Sequence, residues 1–308
     1  MKKKSIVVSI NPTYYCNFRC SFCYLGDMLS DKTTIPLERV TELLNQLSMQ
    51  YDIDHIDIYG GEITALSDEY AEGLIDILSL FSERITIISN FSRVPSYFYR
   101  DNVDMTASYD YKARQDHDKV HQNMVNFNKQ LDVLMLASKA FLRFDAETVI
   151  NKLNEIPNLT SVEIKPYSTN QFNQQDVSFK DFEELVKSYI IRQGQMNFEF
   201  CNIGLIESVL EKERNSFSDD HIYITPNGKY GVLEFDENDN EFFMELDTVQ
   251  DYINWTKTEK LRVSENSYCS TCEYYGSCLS EHLREVTDIS KSCNGFKHLI
   301  DWYRDEQK

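Results

Sequence analysis

Residues 5–23 read SIVVSINPTYYCNFRCSFC, a short apolar segment that leads into three closely spaced cysteines. The segment 6–10 is rich in β-branched residues and stops at an Asn-Pro pair, which indicates a strand followed by a loop. Cys16, Cys20 and Cys23 lie on that loop, just past the carboxyl end of the strand. Parallel α/β folds place their chemistry at this end of the sheet, so the loop is the first candidate for a functional site.

Apolar segments alternate with helix-like segments from residue 5 to about residue 167. Strands separated by single helices indicate parallel βαβ units, and six of them predict an α/β fold with a partial (β/α)6 barrel or an open parallel sheet. The predicted strands are 6–10, 55–59, 85–89, 105–110, 133–137 and 161–165, and the predicted helices are 37–49, 68–81, 119–129, 146–154 and 182–192.

The rhythm of the sequence changes near residue 196. Residues 221–225 and 230–235 have the pattern of two strands, and the Pro-Asn-Gly segment between them is typical of a hairpin turn. We therefore predict two domains, a partial barrel over residues 1–195 and a small C-terminal domain over residues 196–308.

The 308 residues carry a formal net charge of −19, from 50 acidic and 31 basic side chains. Such a surface repels phosphate backbones and anionic lipid, so neither nucleic acid nor a membrane is an expected partner. It would attract a cationic peptide or amine, although a charge that serves solubility is the simpler interpretation. The apolar run at the start is too short for a signal peptide, and no segment approaches the ~18 apolar residues of a membrane helix, which predicts a cytoplasmic protein.

The eight cysteines are more plausible as metal ligands or catalytic groups than as disulfides in a reducing compartment. The three N-terminal thiolates can bind three irons of a 4Fe–4S cube and leave the fourth iron open for a reactive ligand. A zinc loop or a buried structural cluster is the alternative, but zinc normally takes a fourth ligand close by, and no histidine follows before His55. Cys201 stands alone, and we expect it to be buried as a small apolar residue.

This three-cysteine spacing resembles the signature of the radical S-adenosylmethionine (SAM) superfamily. The glycines after the second strand also resemble a Gly-Gly-Glu segment of that family. Glycines let a backbone approach a ligand closely. Many members carry an arginine for the SAM carboxylate at the position that we match to His121, where a solvated helix residue is the alternative interpretation. The resemblance implies that the cofactor contacts come from Tyr24, Gly60, Gly61, Glu62, Ser89, Asn90, Ser108 and His121.

Four cysteines near the C-terminus can complete a second 4Fe–4S cluster or, on spacing alone, a structural zinc site. Because these cysteines follow a radical SAM signature in the same chain, they resemble the auxiliary-cluster extension called SPASM, or its shorter twitch relative. Leu233 and His282 stand where full SPASM members carry cysteines, so the resemblance implies one auxiliary cluster rather than two. The implied ligands are Cys269, Cys272, Cys278 and Cys293.

The resemblance also implies a reaction. In such enzymes a one-electron donor, such as flavodoxin or ferredoxin, reduces a cluster that cleaves SAM, and the resulting 5′-deoxyadenosyl radical takes a hydrogen atom from the substrate. SPASM and twitch relatives mostly oxidise or cross-link peptides, so a peptide is the expected substrate, although no leader-peptide-binding domain precedes the first strand. In the sulfatase-maturing relatives an acidic residue near the missing hairpin cysteine acts as a base, which implies Glu234 here.

Three alternatives remain open at this point. The enzyme could dehydrogenate a small molecule in natural-product biosynthesis, or the chain could be a non-catalytic iron–sulfur or zinc protein. For Glu234, a solvated strand residue is the alternative interpretation.

Overall fold

The computed structural model describes residues 3–167, 177–217, 219–233, 243–280, 293 and 295–307. Within these residues one sheet of ten strands organises the chain, and helices pack on its outer face. The strands are β1 (Lys4–Ile10), β2 (Tyr51–Ile58), β3 (Ile85–Ser89), β4 (Val103–Ser108), β5 (Leu131–Leu136), β6 (Leu159–Lys165), β7 (Glu199–Phe200), β8 (His221–Ile224), β9 (Tyr230–Leu233) and β10 (Phe243–Leu246). The helices are α1 (Leu37–Ser48), α2 (Asp68–Leu78), α3 (His117–Asn126), α4 (Ala146–Leu153), α5 (Phe179–Ile190), α6 (Cys201–Leu210), α7 (Val249–Glu265), α8 (Ser267–Ser270) and α9 (Lys297–Glu306).

The strand order is β10-β9-β8-β1-β2-β3-β4-β5-β6-β7, and every pair from β8 to β7 in this order is parallel. The sheet does not close, since β10 and β7 are its two edges among the described strands. The predicted α/β fold with a partial parallel barrel is confirmed. All six predicted barrel strands are present, with boundaries that differ by a few residues.

The two faces of the sheet have different surroundings, because successive residues of a strand point to opposite sides. In β1, Ile6, Val8 and Ile10 are at most 1% exposed and join the apolar cluster that α1 completes. Val7 and Ser9 point the other way and line a cavity inside the curved sheet. The same alternation recurs in β3, where buried and half-buried residues follow each other strictly.

The C-terminal hairpin extends the barrel sheet. β8 pairs with β1 in parallel, from Val7 opposite His221 to Ile10 opposite Ile224, and β9 returns antiparallel to β8. The turn between β8 and β9 uses Gly228, whose φ of +72° suits a residue without Cβ. The division of the chain at residues 195 and 196 stays a prediction, but the hairpin is continuous with the sheet of the first part.

None of the helices in the described part of the chain combines the length and the apolar character that crossing a membrane requires.

A buried hydroxyl joins this hairpin to the helical layer. Tyr230 on β9 is fully buried, and its hydroxyl donates a 2.7 Å hydrogen bond to the carbonyl oxygen of Leu43 in α1. We expect Tyr230→Phe to lower the free energy of unfolding by about 1 kcal/mol, because one buried hydrogen bond is lost and little packing changes. Tyr99→Phe, at a residue that is 44% exposed, is the matched control and should change it by less than about 0.5 kcal/mol. Urea denaturation measures both, and equal stabilities of the two variants would contradict the role of this bond.

Candidate functional site

A cavity of about 760 Å³ lies inside the curved sheet at the carboxyl ends of its parallel strands. Its wall brings together most of the residues that the sequence nominated, although they are spread over more than 90 positions of the chain. The nominated residues that line it are Cys16, Cys20, Cys23, Tyr24, Gly60, Gly61, Glu62, Asn90 and Ser108.

Of the three cysteines on the loop after β1, Cys16 is buried and Cys20 and Cys23 are half-buried. Burial raises the pKa of the Cys16 thiol to about 12, although the backbone N–H of Phe18 donates to its sulfur at 3.4 Å and opposes that rise. Burial likewise raises the pKa of Cys20 and Cys23. The charges of Cys23 and Cys20 further raise the pKa of Cys16, and the charge of Cys20 raises that of Cys23, which indicates that the sulfurs lie near one another. A thiolate at these positions would need a positive partner such as a metal ion.

Two glycines let the end of β2 press against this loop. Gly60 and Gly61 have φ values of +83° and +52°, in the left-handed region that favours glycine. A Cβ on Gly61 would lie 2.5 Å from the carbonyl oxygen of Thr13 and 2.6 Å from that of Tyr15. The backbone N–H of Glu62 then donates to the same Tyr15 oxygen at 2.8 Å. The Gly-Gly pair is therefore required by the approach of two backbones.

The Glu62 side chain is engaged within the protein. It is 2% exposed, and its carboxylate accepts hydrogen bonds from Thr64 N (3.0 Å), Thr64 Oγ1 (2.8 Å), Ser89 Oγ (2.9 Å) and Asn90 N (2.7 Å). These bonds tie the end of β2 to the end of β3. Ser89 thus serves this carboxylate, and it is not among the residues that line the cavity.

Asn90 supports the cysteine loop from the neighbouring strand. Its amide Nδ2 donates to Asn17 Oδ1 at 2.8 Å and lies 3.8 Å from the sulfur of Cys16. The side-chain oxygen of Asn90 accepts from the backbone N–H of Ser92 at 2.9 Å, which fixes its orientation. Asn90 is therefore placed to orient a cysteine ligand.

Tyr24 and Ser108 both line the cavity. The Tyr24 hydroxyl donates to that of Tyr59 at 2.7 Å, and burial raises the pKa of Tyr24 well above its usual range. Its ring therefore remains a neutral aromatic surface next to Cys23. Ser108 closes β4 and lies on the cavity wall.

The structure does not bring His121 to the cavity. This residue lies on α3 with 6% of its surface exposed, and its Nε2 is 3.1 Å from Glu155 Oε2. Burial lowers the pKa of His121, and its ring packs against that of Tyr109. The match to the family arginine rested on the order of motifs along the chain, and order alone does not say which way a helix residue points.

Arg114 lines the cavity instead, and the sequence analysis missed it. Its Nε and Nη2 donate to Asp110 Oδ2 at 2.7 and 2.6 Å. The available signal was an acidic and a basic residue four positions apart, directly after the carboxyl end of a predicted strand.

The C-terminal cysteines also lie near one another. Burial, followed by the charges of the other three, raises the pKa of Cys269 to about 11. A Cβ on Gly295 would lie 2.9 Å from the sulfur of Cys278 and 3.6 Å from that of Cys293, so this glycine leaves room for both. Within the described ranges, no group of three or more His, Cys, Asp or Glu side chains is arranged as a ready site for a metal ion.

Three further residues named in the sequence analysis are not part of the cavity wall or the C-terminal cysteine group as described. Cys201 begins α6 and is half-buried, and burial raises its pKa while a hydrogen bond with Ser161 lowers it. Glu234 and His282 lie outside the described residues, so the predicted base stays a prediction.

Comparison with known proteins agrees with this geometry. Residues 10–155 match the family model described as the radical SAM superfamily. No curated protein matches the sequence significantly. Among solved structures, the chain resembles Streptococcus suis SuiB bound to S-adenosylmethionine, with 17% identity and a TM-score of 0.64 over 90% of this chain and 72% of SuiB. It also resembles native anSMEcpe with bound AdoMet, with 12% identity and a TM-score of 0.73 over 97% of each chain. At these identities the structural likeness shows the fold.

Gly61 offers a test of the packing between β2 and the cysteine loop. We expect Gly61→Ala to lower the free energy of unfolding by about 1–3 kcal/mol and to reduce the iron retained, because two carbonyl oxygens must move. Gly204→Ala is the matched control, since its Cβ meets no heavy atom within 4 Å and its helix should be stabilised by about 0.5–1 kcal/mol. Thermal unfolding and iron analysis measure both, and wild-type iron content in Gly61→Ala would count against the packing argument.

Proposed function

This chain is a radical SAM enzyme, and from that premise we propose that it oxidises or cross-links a peptide substrate. The observation that carries the proposal is the convergence of three cysteines, a Gly-Gly backbone and Arg114 on one cavity at the carboxyl ends of the parallel strands. A cavity of about 760 Å³ lies within the ~300–1,000 Å³ range of ligand sites, and a larger substrate can enter it as a single side chain.

The residues fit the cluster and the SAM that this family implies. Cys16, Cys20 and Cys23 would bind three irons, and Asn90 with the Phe18 N–H would support the Cys16 sulfur. When bound, the reduced cluster supplies the electron that cleaves SAM to methionine and a 5′-deoxyadenosyl radical. The buried wall around these cysteines excludes water, which protects a reactive species from side reactions.

Contacts to SAM are proposed from the same wall. Gly60 and Gly61 line the cavity, and we propose that their backbone groups bind the SAM amino group. Tyr24 offers a neutral ring beside Cys23. Arg114 is the cation that we propose for the SAM carboxylate, since a guanidinium has five donors and Asp110 engages two of them.

Two solved relatives support a peptide as substrate. One SuiB structure is bound to the precursor peptide SuiA, and one anSMEcpe structure holds the Cp18Cys peptide; they match this chain with TM-scores of 0.62 and 0.72. Hydrogen removal from a small molecule is the second candidate, and a non-catalytic iron–sulfur or zinc protein is the third. Formation of 5′-deoxyadenosine would exclude the third, and a modified precursor peptide would separate the first two.

We propose a second 4Fe–4S cluster on Cys269, Cys272, Cys278 and Cys293. The side chain of Arg214 lines the cavity, and its Nε donates to the carbonyl oxygen of Cys278 at 3.2 Å, which connects this cluster site to the cavity wall. Four protein thiolates leave no iron open to substrate, so the second cluster would accept or relay an electron, or stabilise the C-terminal part. An external one-electron donor such as flavodoxin or ferredoxin would reduce the first cluster.

Iron content and SAM cleavage test the first cluster. After anaerobic reconstitution we expect about eight irons per chain, at four per cube. Replacing Cys16, Cys20 and Cys23 together by Ala should halve the iron and abolish 5′-deoxyadenosine formation. Cys201→Ala is the matched control and should change neither quantity. Stoichiometric zinc in protein purified without oxygen would contradict the proposal.

The second cluster has its own test. If it relays electrons, Cys272→Ala and Cys278→Ala should stop product formation while 5′-deoxyadenosine still accumulates, because SAM cleavage needs the first cluster alone. A purely stabilising cluster would instead lower the yield of soluble protein in both variants, since metal binding energy is also folding energy. We expect mainly the relay pattern. A product yield per 5′-deoxyadenosine equal to that of the wild type would argue against it.

A further inference from the structure

Asp110 and Arg114 form a buried ion pair at the end of β4. Asp110 is fully buried, and its Oδ2 accepts from both Nε and Nη2 of Arg114, at 2.7 and 2.6 Å. Its second oxygen accepts from the backbone N–H of Leu136 at the end of β5. The Arg114 side chain, 16% exposed, is therefore held rigidly by two neighbouring strands.

The held guanidinium lies against the cysteine loop. Its central carbon is 5.2 Å from the ring centroid of Phe22, which stands between Cys20 and Cys23 in the sequence. The next residue, Gln115, accepts a hydrogen bond from the backbone N–H of Arg19, just before Cys20. Two successive residues after β4 thus contact the loop that carries the cysteines.

The two charges act on the sulfur of Cys20 with opposite signs. The Arg114 side chain forms a hydrogen bond with the Cys20 sulfur, and the Asp110 carboxylate paired with it carries the opposite charge. Cys20 and Cys23 in turn stabilise the charge on Arg114. The pair and the two sulfurs therefore interact electrostatically in a poorly solvated region, where charges are weakly screened.

We propose that Arg114, held by Asp110, sets the reduction potential of the cluster on Cys16, Cys20 and Cys23. Reduction adds a negative charge, and a fixed cation at the cysteine sulfurs stabilises the reduced state. Asp110 opposes this effect and limits it. The inference rests on the proposed function, because it needs that cluster, and it assigns Arg114 a task that precedes any contact with SAM.

A merely structural ion pair gives a different result. Loss of either partner would then loosen the same loop, and both variants would change in the same direction. A charge effect requires opposite directions, with a lower potential when the cation is removed and a higher potential when the carboxylate is removed. The sign of the shift therefore separates the two roles.

The test is a potentiometric titration of the reconstituted full chain without SAM, followed by electron paramagnetic resonance. The signal of the first cluster is identified beforehand as the one that changes on addition of SAM. We expect Arg114→Gln to reduce the equilibrium constant for reduction about tenfold, which is a fall of about 59 mV for one electron. Asp110→Asn should increase it by a similar factor, and Arg114→Lys should stay within about threefold of the wild type.

Arg143→Gln is the matched control, because it removes the same charge from an exposed position outside the cavity. It should leave the potential unchanged. Shifts of Arg114→Gln and Asp110→Asn in the same direction, or shifts below threefold in both, would overturn the proposal. If Arg114→Gln fails to retain iron, the other two variants decide the proposal. A raised potential in Asp110→Asn together with a near-normal potential in Arg114→Lys supports the proposal. Any other pair of results overturns it.

The same experiment separates this inference from the function on which it rests. A wild-type chain with no reducible, SAM-responsive cluster overturns both. A wild-type chain that shows the signal and forms 5′-deoxyadenosine, while the variants keep its potential, overturns the role of Arg114 alone.

Discussion

The site depends on the carboxylate of Glu62 and on the backbone around it. One buried side chain accepts hydrogen bonds from Thr64, Ser89 and Asn90, while its own N–H donates to the carbonyl of Tyr15. The ends of β2 and β3 and the cysteine loop are thereby joined at one point. Buried carboxylates are costly unless they are fully hydrogen-bonded, and here four donors meet that requirement. The positions of the cysteines follow from this junction.

Burial has a second consequence for the cysteines. It favours the neutral thiol, yet a metal ligand must be a thiolate, so the empty loop and the loaded loop have opposite preferences. Iron bound as we propose would reverse the effect of burial, and its binding free energy would also stabilise the fold. The polar side chains near the sulfurs, Asn90 and Arg114, are each fixed by other protein groups, so they are in place before the metal binds.

The sequence predicted what local pattern determines, namely the parallel strands, the cysteine loop and the Gly-Gly turn at the end of β2. β2 begins at Tyr51, earlier than predicted, because its first residues pair with Lys4 and Ser5 of β1. The aspartates in this segment mask the apolar pattern by which a strand is recognised in a sequence. The parallel pairing of β8 with β1 joins segments more than 200 residues apart, and no local signal encodes it. The sequence nominated His121 for the cavity, but Arg114 lines it instead. Local pattern could not predict this either, since only the folded chain determines which residue faces inward.

The hairpin also decides how the cavity is divided. The cysteines and the glycines come from the loops after β1 and β2, whereas Tyr223, Val232 and Leu233 line the cavity from β8 and β9. The first group contributes thiols and glycine backbone to the cavity wall. The second group presents side chains from an added edge of the sheet, and Tyr223 and Leu233 belong to a cluster that packs against Tyr14 and Tyr24, which flank the cysteine loop. A substitution at Tyr223 or Leu233 would therefore also act on the cysteine loop, through these two rings.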